Sequence, residues 1–146
     1  MTIADVVTRQ ANGIFDCGGA QIRAQRRSLA TVVTIRGEID ALNVDRVSAY
    51  IRRFTLGESR VVLDLSDVSQ FADAGVWLLY AFDADCRAAE ADWSLVASPA
   101  VAQVLNDGGH DVEFAIMPSV REVLRDVSDA IASRRRLVLP LVRKSA

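Results

Sequence analysis

The sequence predicts an α/β layer fold: one domain with a mostly parallel or mixed sheet of five strands and about four helices, in the order ββαβαβαβα. Two observations support this prediction. Short aliphatic or alternating runs alternate along the chain with segments in which apolar residues recur every three or four positions. The 146 residues, 51% of them hydrophobic, also fit a single compact core. We therefore expect one domain with short extensions at both ends.

Each element follows from its local pattern. Strands are predicted at residues 21–27, 29–36, 60–65, 92–97 and 112–116. Helices are predicted at residues 44–56, 74–90, 99–106 and from 119 onward. The first two strands are separated by little more than Ser28, so they should form a hairpin. The polar residues 66–70 should turn the chain between the third strand and the second helix.

Polar side chains indicate where the helices begin. Ser98 and Ser119 open the last two helices, and Glu122 completes a capping box with Ser119. Asp73 can cap the second helix, which is apolar almost all round over residues 76–82 and should lie in the core or offer a face to a partner. The last helix has a predicted buried stripe of Val120, Val123, Leu124, Val127 and Ile131.

Both chain ends are expected to lie outside the domain, which spans residues 20–132. Residues 1–19 mix polar and small side chains and are interpreted as an N-terminal extension. Residues 133–146 form an apolar, basic tail that could fray, pack across the domain or dock on a partner or an anionic surface. The chain has a net charge of −2, yet its last residues contain five cations and no acid: Arg134, Arg135, Arg136, Arg143 and Lys144.

The composition argues against several classes of protein. No apolar stretch approaches the roughly 20 residues of a membrane span, and the N-terminus lacks a signal-peptide pattern, so we expect a cytoplasmic protein without membrane insertion. The basic residues form no stripe and aromatic residues are scarce, which argues against nucleic-acid binding. Cys17, Cys86 and His110 cannot make a tetrahedral metal set, and we expect no metal or cofactor. The thiols should be small buried groups, although a disulfide between them stays open.

The most informative segment is residues 61–75, where a buried aliphatic strand runs into a short loop and then a helix. A helix start exposes unpaired N–H groups and the positive end of the helix dipole. This junction therefore favours an anion, either a carboxylate or a phosphate.

Two segments together carry a resemblance to a known family. The order of elements, with Ile35-Arg-Gly-Glu-Ile-Asp40 and with Val62-Leu-Asp-Leu-Ser-Asp-Val68 running into Ala72-Asp-Ala-Gly75, resembles the STAS domain of anti-sigma factor antagonists over about residues 20–132. The resemblance implies a non-enzymatic switch protein that binds an anti-sigma factor, usually an ATP-binding serine kinase, and so frees a sigma factor to direct transcription. In the family the loop typically reads Asp-Ser-Ser/Thr-Gly, and the partner phosphorylates its first serine, which breaks the complex.

The chain departs from that pattern within the loop. Alignment on Gly75 places Ala72 at the family's aspartate, Asp73 at the phosphorylated serine and Ala74 at the following hydroxyl. Asp73 supplies one permanent negative charge, whereas a phosphoserine carries roughly −1.5 to −2 and cannot form here. The sequence leaves three roles open for Asp73: a mimic of the phosphorylated, partner-releasing state, a contact for an adapted partner, or only a helix cap.

Other residues near the loop also receive roles. The resemblance places Asp40 at the acidic residue that ends the family's second strand and contributes to partner recognition. Gly37 is expected to serve the backbone, and Asp64 to hydrogen-bond to the adjoining loop rather than act in catalysis. Ser66 and Ser69 are the nearest hydroxyls to position 73 and the remaining candidates for phosphorylation.

Two other classes compete with the antagonist. An enzyme would gather Asp40, Asp64, Asp67 and Asp73 into a Mg²⁺ or phospho-acceptor site, as a receiver domain does. The only lysine is Lys144 in the tail, however, and no nucleophile is paired with a base. STAS-like domains also serve as subunits of stress-signalling scaffolds and lipid-transport complexes, and the lack of a phosphorylatable residue at position 73 favours this alternative. We expect an anti-sigma factor antagonist, with its sigma factor and a possible homodimer left open.

Overall fold

The computed structural model describes residues 13–27, 29–57 and 60–145, with side chains as far as Arg134. The elements are β1 (Ile14–Cys17), β2 (Ala20–Arg26), β3 (Thr31–Ile39), α1 (Val44–Ile51), β4 (Arg60–Phe71), α2 (Ala74–Ala88), β5 (Asp92–Ala97), α3 (Pro99–Asp107), β6 (Ile116–Met117) and α4 (Val120–Ser145). Short 3₁₀ turns follow α1 and α3, at Arg52–Thr55 and Asp111–Glu113. The predicted α/β fold class and its four helices are confirmed.

The strands form one mixed sheet in the sequential order β1 to β6. The pairs β1/β2 and β2/β3 are antiparallel, and the pairs β3/β4, β4/β5 and β5/β6 are parallel. Connections between parallel strands are almost always right-handed. Because the parallel strands are added in one direction, that rule places α1, α2 and α3 on the same face of the sheet. The opposite face is left for α4.

Two apolar clusters match these layers. The larger cluster lies between the sheet and α1 to α3, where Leu63 of β4, Leu79 of α2 and Leu105 of α3 are fully buried. The smaller cluster lies on the other face, where Val62 of β4 packs with Val123 of α4. Strand β4 therefore contributes alternate side chains to both cores, as expected for a central strand.

The sheet has six strands rather than the five predicted. The additional strand, β1, lies within the predicted N-terminal extension and pairs with β2. Packing holds it in place, because Cys17 is fully buried and the ring of Phe15 stacks on Tyr50 of α1 with 3.9 Å between ring centroids. At the opposite edge, the strand predicted at residues 112–116 is wrong except at Ile116, because a 3₁₀ turn occupies Asp111–Glu113 and the two-residue strand β6 is Ile116–Met117.

The predicted turn at residues 66–70 is wrong, because β4 continues as a strand to Phe71. The pairing register between β3 and β4 shifts twice, once between Thr34 and Arg36 and once between Gly37 and Glu38. Such shifts are bulges, which accommodate extra residues in one strand and bend it. The polar character of residues 66–70 therefore marks a bulged strand rather than a loop.

Gly37 serves the backbone at the second of these shifts. Its φ is +97°, a conformation that suits glycine. A Cβ on Gly37 would lie 2.2 Å from the carbonyl oxygen of Gly19, which accepts the amide of Glu38 at 2.9 Å. The β1–β2 turn thus packs against the end of β3 at a distance that excludes a side chain.

Helix α4 is longer than predicted. Its N-terminus begins as expected, with the Ser119 hydroxyl accepting the amide of Glu122 at 3.1 Å, but its backbone continues to Ser145 through the residues assigned to a tail. The side chains from residue 135 onward lie outside the described part of the chain. No helix of the described residues combines the length and the apolar character of a membrane span.

Both cysteines are free and fully buried, Cys17 at the end of β1 and Cys86 in α2. Burial raises the pKa of each thiol. For Cys86 the pKa rises to about 12, because burial and then the nearby carboxylates of Asp83 and Asp85 disfavour the thiolate. Since the thiolate is the reactive form, the native protein suppresses the chemistry of both groups.

The raised pKa of Cys86 predicts a loss of stability in alkaline solution. An unfolded thiol ionises near pH 8.5, whereas folded Cys86 keeps its proton to about pH 12. Between these values the unfolded chain binds fewer protons, so the free energy of unfolding falls as the pH rises. The free energy of unfolding, measured by urea denaturation at pH 7, 9 and 10.5, should fall less with rising pH in Cys86→Ala than in the parent. Identical pH profiles for the two proteins would contradict the prediction.

Candidate functional site

The ends of β3 and β4 bring two acidic residues to one corner of the sheet. Ile39 pairs with Phe71, and the amide of Ala72 donates to the carbonyl oxygen of Ile39 at 2.9 Å. Asp40 directly follows Ile39, and Asp73 directly follows Ala72. Both acids therefore leave adjacent strand ends, Asp40 half-buried and Asp73 exposed.

Asp73 occupies the N-cap position of α2, but its side chain accepts no hydrogen bond from the helix. The predicted capping role is wrong for a backbone reason. Its φ of −55° and ψ of −33° are helical, whereas a capping residue usually has an extended backbone that turns its side chain towards the helix amides.

The first amides of α2 are also less available than expected. The amide of Gly75 donates to the carbonyl oxygen of Ala72 at 2.8 Å, and that of Val76 donates to the backbone carbonyl oxygen of Asp73 at 3.0 Å. The backbone therefore satisfies part of the predicted anion site by itself. What remains at this end of the 15-residue helix is the exposed carboxylate of Asp73, which has no hydrogen bond or ion pair within the described residues.

Asp40 organises the turn that leads from β3 into α1. Its carboxylate accepts the amides of Leu42 at 2.9 Å and Asn43 at 3.1 Å, and its own amide donates to the side-chain oxygen of Asn43 at 3.0 Å. This reciprocal pair has the pattern of a capping box. Asp40 is therefore committed to a structural role, with a half-buried side chain.

Asn43 is a residue that the sequence analysis missed. Its side chain is 2% exposed, and its amide nitrogen donates to the carbonyl oxygens of Gly18 at 3.1 Å and Glu38 at 2.9 Å. It thus ties the β1–β2 turn, the end of β3 and the start of α1 together. The signal was an asparagine directly before an apolar helical pattern, which favours a capping residue but does not reveal the distant Gly18 contact.

Gly75 is required by the packing of the loop rather than by its backbone angles. A Cβ at this position would lie 2.4 Å from the ring of Phe71, the residue that ends β4 and is 7% exposed. The ring of Phe71 therefore fits directly against the first turn of α2. Ala72 and Ala74, the small residues that flank Asp73 in the loop, are half-buried.

The two candidate serines already have hydrogen-bond partners. The hydroxyl of Ser66 donates to Asp64 at 2.6 Å, and its amide donates to the same carboxylate oxygen at 3.0 Å. Asp64 thus bonds to Ser66 as the next polar residue along the chain, although the predicted loop there is part of strand β4. The hydroxyl of Ser69 donates to the carbonyl oxygen of Gly37 at 3.1 Å. Both serines are exposed.

Three of the four acids of the enzyme alternative have separate partners, and the carboxylate of Asp73 has none within the described residues. Asp40 binds the α1 turn, Asp64 binds Ser66, and Asp67 lies 4.0 Å from the guanidinium of Arg36. Over the described residues, no three His, Cys, Asp or Glu side chains form a group that could hold a metal ion. Within the described part of the chain, the hydrogen bonds and ion pairs of these acids therefore do not gather them into a single carboxylate cluster.

A cleft of about 450 Å³ adjoins Asp73 between α2 and α3. Its lining includes Trp77, which is 76% exposed, and the Tyr80 hydroxyl, which is hydrogen-bonded to Nδ1 of His110 at 2.8 Å. The predicted core placement of the apolar run of α2 is confirmed for Leu78 and Phe82, which are buried, while Trp77 faces solvent. Sequence periodicity could not separate them, because almost every position in the run is apolar.

The Gly75 contact predicts that a single methyl group destabilises the loop. Alanine normally stabilises a helix relative to glycine by about 1 kcal/mol, yet Gly75→Ala should destabilise the protein by about 1–3 kcal/mol because the methyl group overlaps the Phe71 ring. In a protein that already carries Phe71→Leu, Gly75→Ala should cost less free energy of unfolding, because the ring that the methyl group overlaps is gone. Urea denaturation of the four proteins gives the coupling. Additive effects would rule out the contact as the cause.

Asn43 offers a second test of the corner. Asn43→Ala should cost about 2–3 kcal/mol, because it removes three partly buried hydrogen bonds of a side chain that is itself buried. Asn43→Asp should cost more, since a carboxylate would face two carbonyl oxygens. Exposed Asn106→Ala in α3 is the control and should change the free energy of unfolding by under about 0.5 kcal/mol. Equal effects at positions 43 and 106 would refute this role.

Comparison of the sequence with known proteins identifies the family of this chain. The sequence profile of the STAS domain matches residues 21–123. The chain is 54% identical over 145 residues to Osmosensory protein A of Mycobacterium tuberculosis, covering 97% of this chain and 92% of the relative.

Solved structures share the fold. An anti-sigma factor antagonist from Mycobacterium paratuberculosis superposes with a TM-score of 0.68 at 23% identity, covering 75% of this chain and 94% of the other. The unphosphorylated anti-sigma factor antagonist SpoIIAA gives a TM-score of 0.61 at 18% identity, covering 74% and 96%. These anti-sigma factor antagonists are similar to the chain in fold, and the profile match identifies the family: the chain belongs to the STAS domain family.

Proposed function

We propose that the protein is an anti-sigma factor antagonist: it binds an anti-sigma factor of the ATP-binding serine-kinase type in the cytoplasm and thereby regulates transcription by a sigma factor. Binding, not catalysis, is its activity. The observation that carries this proposal is the corner where Asp73 is displayed to solvent beside the Asp40 turn, held by the Ala72 to Ile39 hydrogen bond. This corner is where the family resemblance places the partner contact.

The surface around the corner suits a protein partner. Leu42, in the turn held by Asp40, is 92% exposed, and Trp77, one turn into α2, is 76% exposed. Large apolar side chains beside fixed charges are typical of contact residues in protein interfaces.

We further propose that the antagonist is not switched by phosphorylation at this loop. Asp73 provides no hydroxyl at the aligned position, and the hydroxyls of Ser66 and Ser69 are engaged within β4 and its bulge. The partner's kinase therefore finds no free hydroxyl at the aligned position of the loop. Control of binding would then come from the amount of the partner or from another part of either protein.

The name of the mycobacterial relative suggests the signal to which this protein responds. That relative is called Osmosensory protein A and is 54% identical to this chain. We propose that this chain acts in the response to a change in external osmotic strength. A transcriptional profile of a deletion strain after osmotic shift would test this assignment independently of the binding proposal.

A second candidate is a STAS subunit of a stress-signalling scaffold or a lipid-transport complex, in which no phosphorylation is needed. The aspartate at position 73 favours it. Affinity purification of the tagged chain separates the two: an ATP-binding anti-sigma factor supports the antagonist, whereas membrane transporter subunits or assemblies of high order support the scaffold.

The decisive experiment is a binding and phosphorylation assay with the anti-sigma factors of the source organism. We expect a complex of defined stoichiometry with one of them by calorimetry, and no phosphate on the parent chain after incubation with ATP. The variant Asp73→Ser should be phosphorylated at residue 73, because the hydroxyl then occupies the aligned position.

The matched control is Ala74→Ser, which places a hydroxyl one residue further along the same turn and should stay unmodified. Peptide mapping by mass spectrometry identifies the site. Stoichiometric phosphate on Ser66 or Ser69 of the parent would overturn the locked-loop proposal, and failure to bind any anti-sigma factor would overturn the antagonist proposal.

A further inference from the structure

The cleft between α2 and α3 contains two carboxylates without a compensating cation. Asp73 and Asp107 both line it, and among the residues that the structure describes no lysine or arginine does. Within the described residues, the Asp73 carboxylate has no hydrogen bond or ion pair, and that of Asp107 accepts only from the neutral amide of Gln103 at 2.9 Å. Two negative charges therefore face the cleft without a paired positive charge.

The same cleft contains an aromatic surface that is open to solvent. Trp77 is 76% exposed and lines both this cleft and a second depression between α1 and α2. The ring of Tyr80 lies beside it, with 6.4 Å between the ring centroids. The face of an indole attracts cations, so an exposed tryptophan beside two carboxylates suits a cationic side chain.

The remaining walls are apolar. Val76 of α2 and Val104 of α3 line the cleft on either side, and Val104 also packs against the larger core. An apolar wall next to a carboxylate suits a long side chain that has a hydrocarbon stem and a charged end. The cleft volume of about 450 Å³ is ample for one such side chain.

We propose that this cleft binds an arginine side chain of the protein partner, with its guanidinium stacked on Trp77 and paired with Asp73 and Asp107. Arginine fits better than lysine, because its planar fork both stacks on rings and pairs with two carboxylates. The inference deepens the proposed function and rests on it for the identity of the partner. Asp73 then attracts the partner, which selects the adapted-partner role among the three that the sequence leaves open.

The chemistry of the cleft can be tested without the partner. N-acetyl-arginine amide and its neutral analogue N-acetyl-citrulline amide are titrated into the full chain at low ionic strength, and the indole N–H resonances are followed by NMR. The arginine compound should shift the Trp77 signal with an affinity on the order of millimolar, and the citrulline compound should not. Trp93, whose indole donates to Asp83 at 2.9 Å, is the internal reference and should not move.

Variants test which carboxylates bind the arginine compound. Asp107→Asn and Asp73→Asn should each weaken the arginine response several-fold, and the double variant should abolish it. Asp92→Asn, which removes an exposed carboxylate at the start of β5, is the matched control and should leave the response unchanged. Equal responses to arginine and citrulline, or an unchanged response in the double variant, would overturn the inference.

The partner itself provides a second readout. With a captured anti-sigma factor, Asp107→Asn should weaken binding about tenfold, and Asp107→Arg should weaken it further by adding a like charge. Tighter binding by Asp73→Asn would mean that this carboxylate repels the partner, which overturns the inference while the antagonist function stands. If no anti-sigma factor binds, the proposed function fails, whereas the arginine titration still decides the chemistry of the cleft.

Discussion

The parallel pairing of β3 with β4 is the constraint on which the functional corner depends. The pair runs from Thr31 opposite Val61 to Ile39 opposite Phe71, and it tolerates two bulges on the way. Those bulges let the longer β4 keep its central position and still end level with β3. Because Ala72 then donates to Ile39, the loop that carries Asp73 is fixed to the end of β3. Gly37 and Gly75 are the two positions where this arrangement leaves no room for a side chain.

Local patterns predicted most of the architecture. The helical periodicity from Val44, the capping serines 98 and 119, and the aliphatic run before Ser66 each mark an element that the structure contains. These signals are short-range, since they depend on the spacing of apolar residues and on one nearby hydrogen bond. The fold class followed from their order alone.

The errors arose where distant contacts decide the structure. Residues 66–70 are polar because they lie in a bulged strand end, yet in sequence they resemble a turn. Strand β1 is held by the stacking of Phe15 on Tyr50, which no local pattern reveals. Asp73 stands where a cap belongs, but its helical backbone prevents capping. At the candidate site, the loop and Asp40 could be found by resemblance, whereas Asn43, Trp77 and the Asp107 cleft depended on tertiary packing.

The placement of α4 has a consequence for how the chain matures. Three crossover helices cover one face of the sheet, so the valines on the other face, including Val62 and Val96, rely on the last element of the chain. A ribosome makes α4 after all six strands, and the nascent domain therefore carries an uncovered hydrophobic surface until that helix has emerged. Premature termination before residue 120 would leave a chain that can form its sheet but is prone to aggregate.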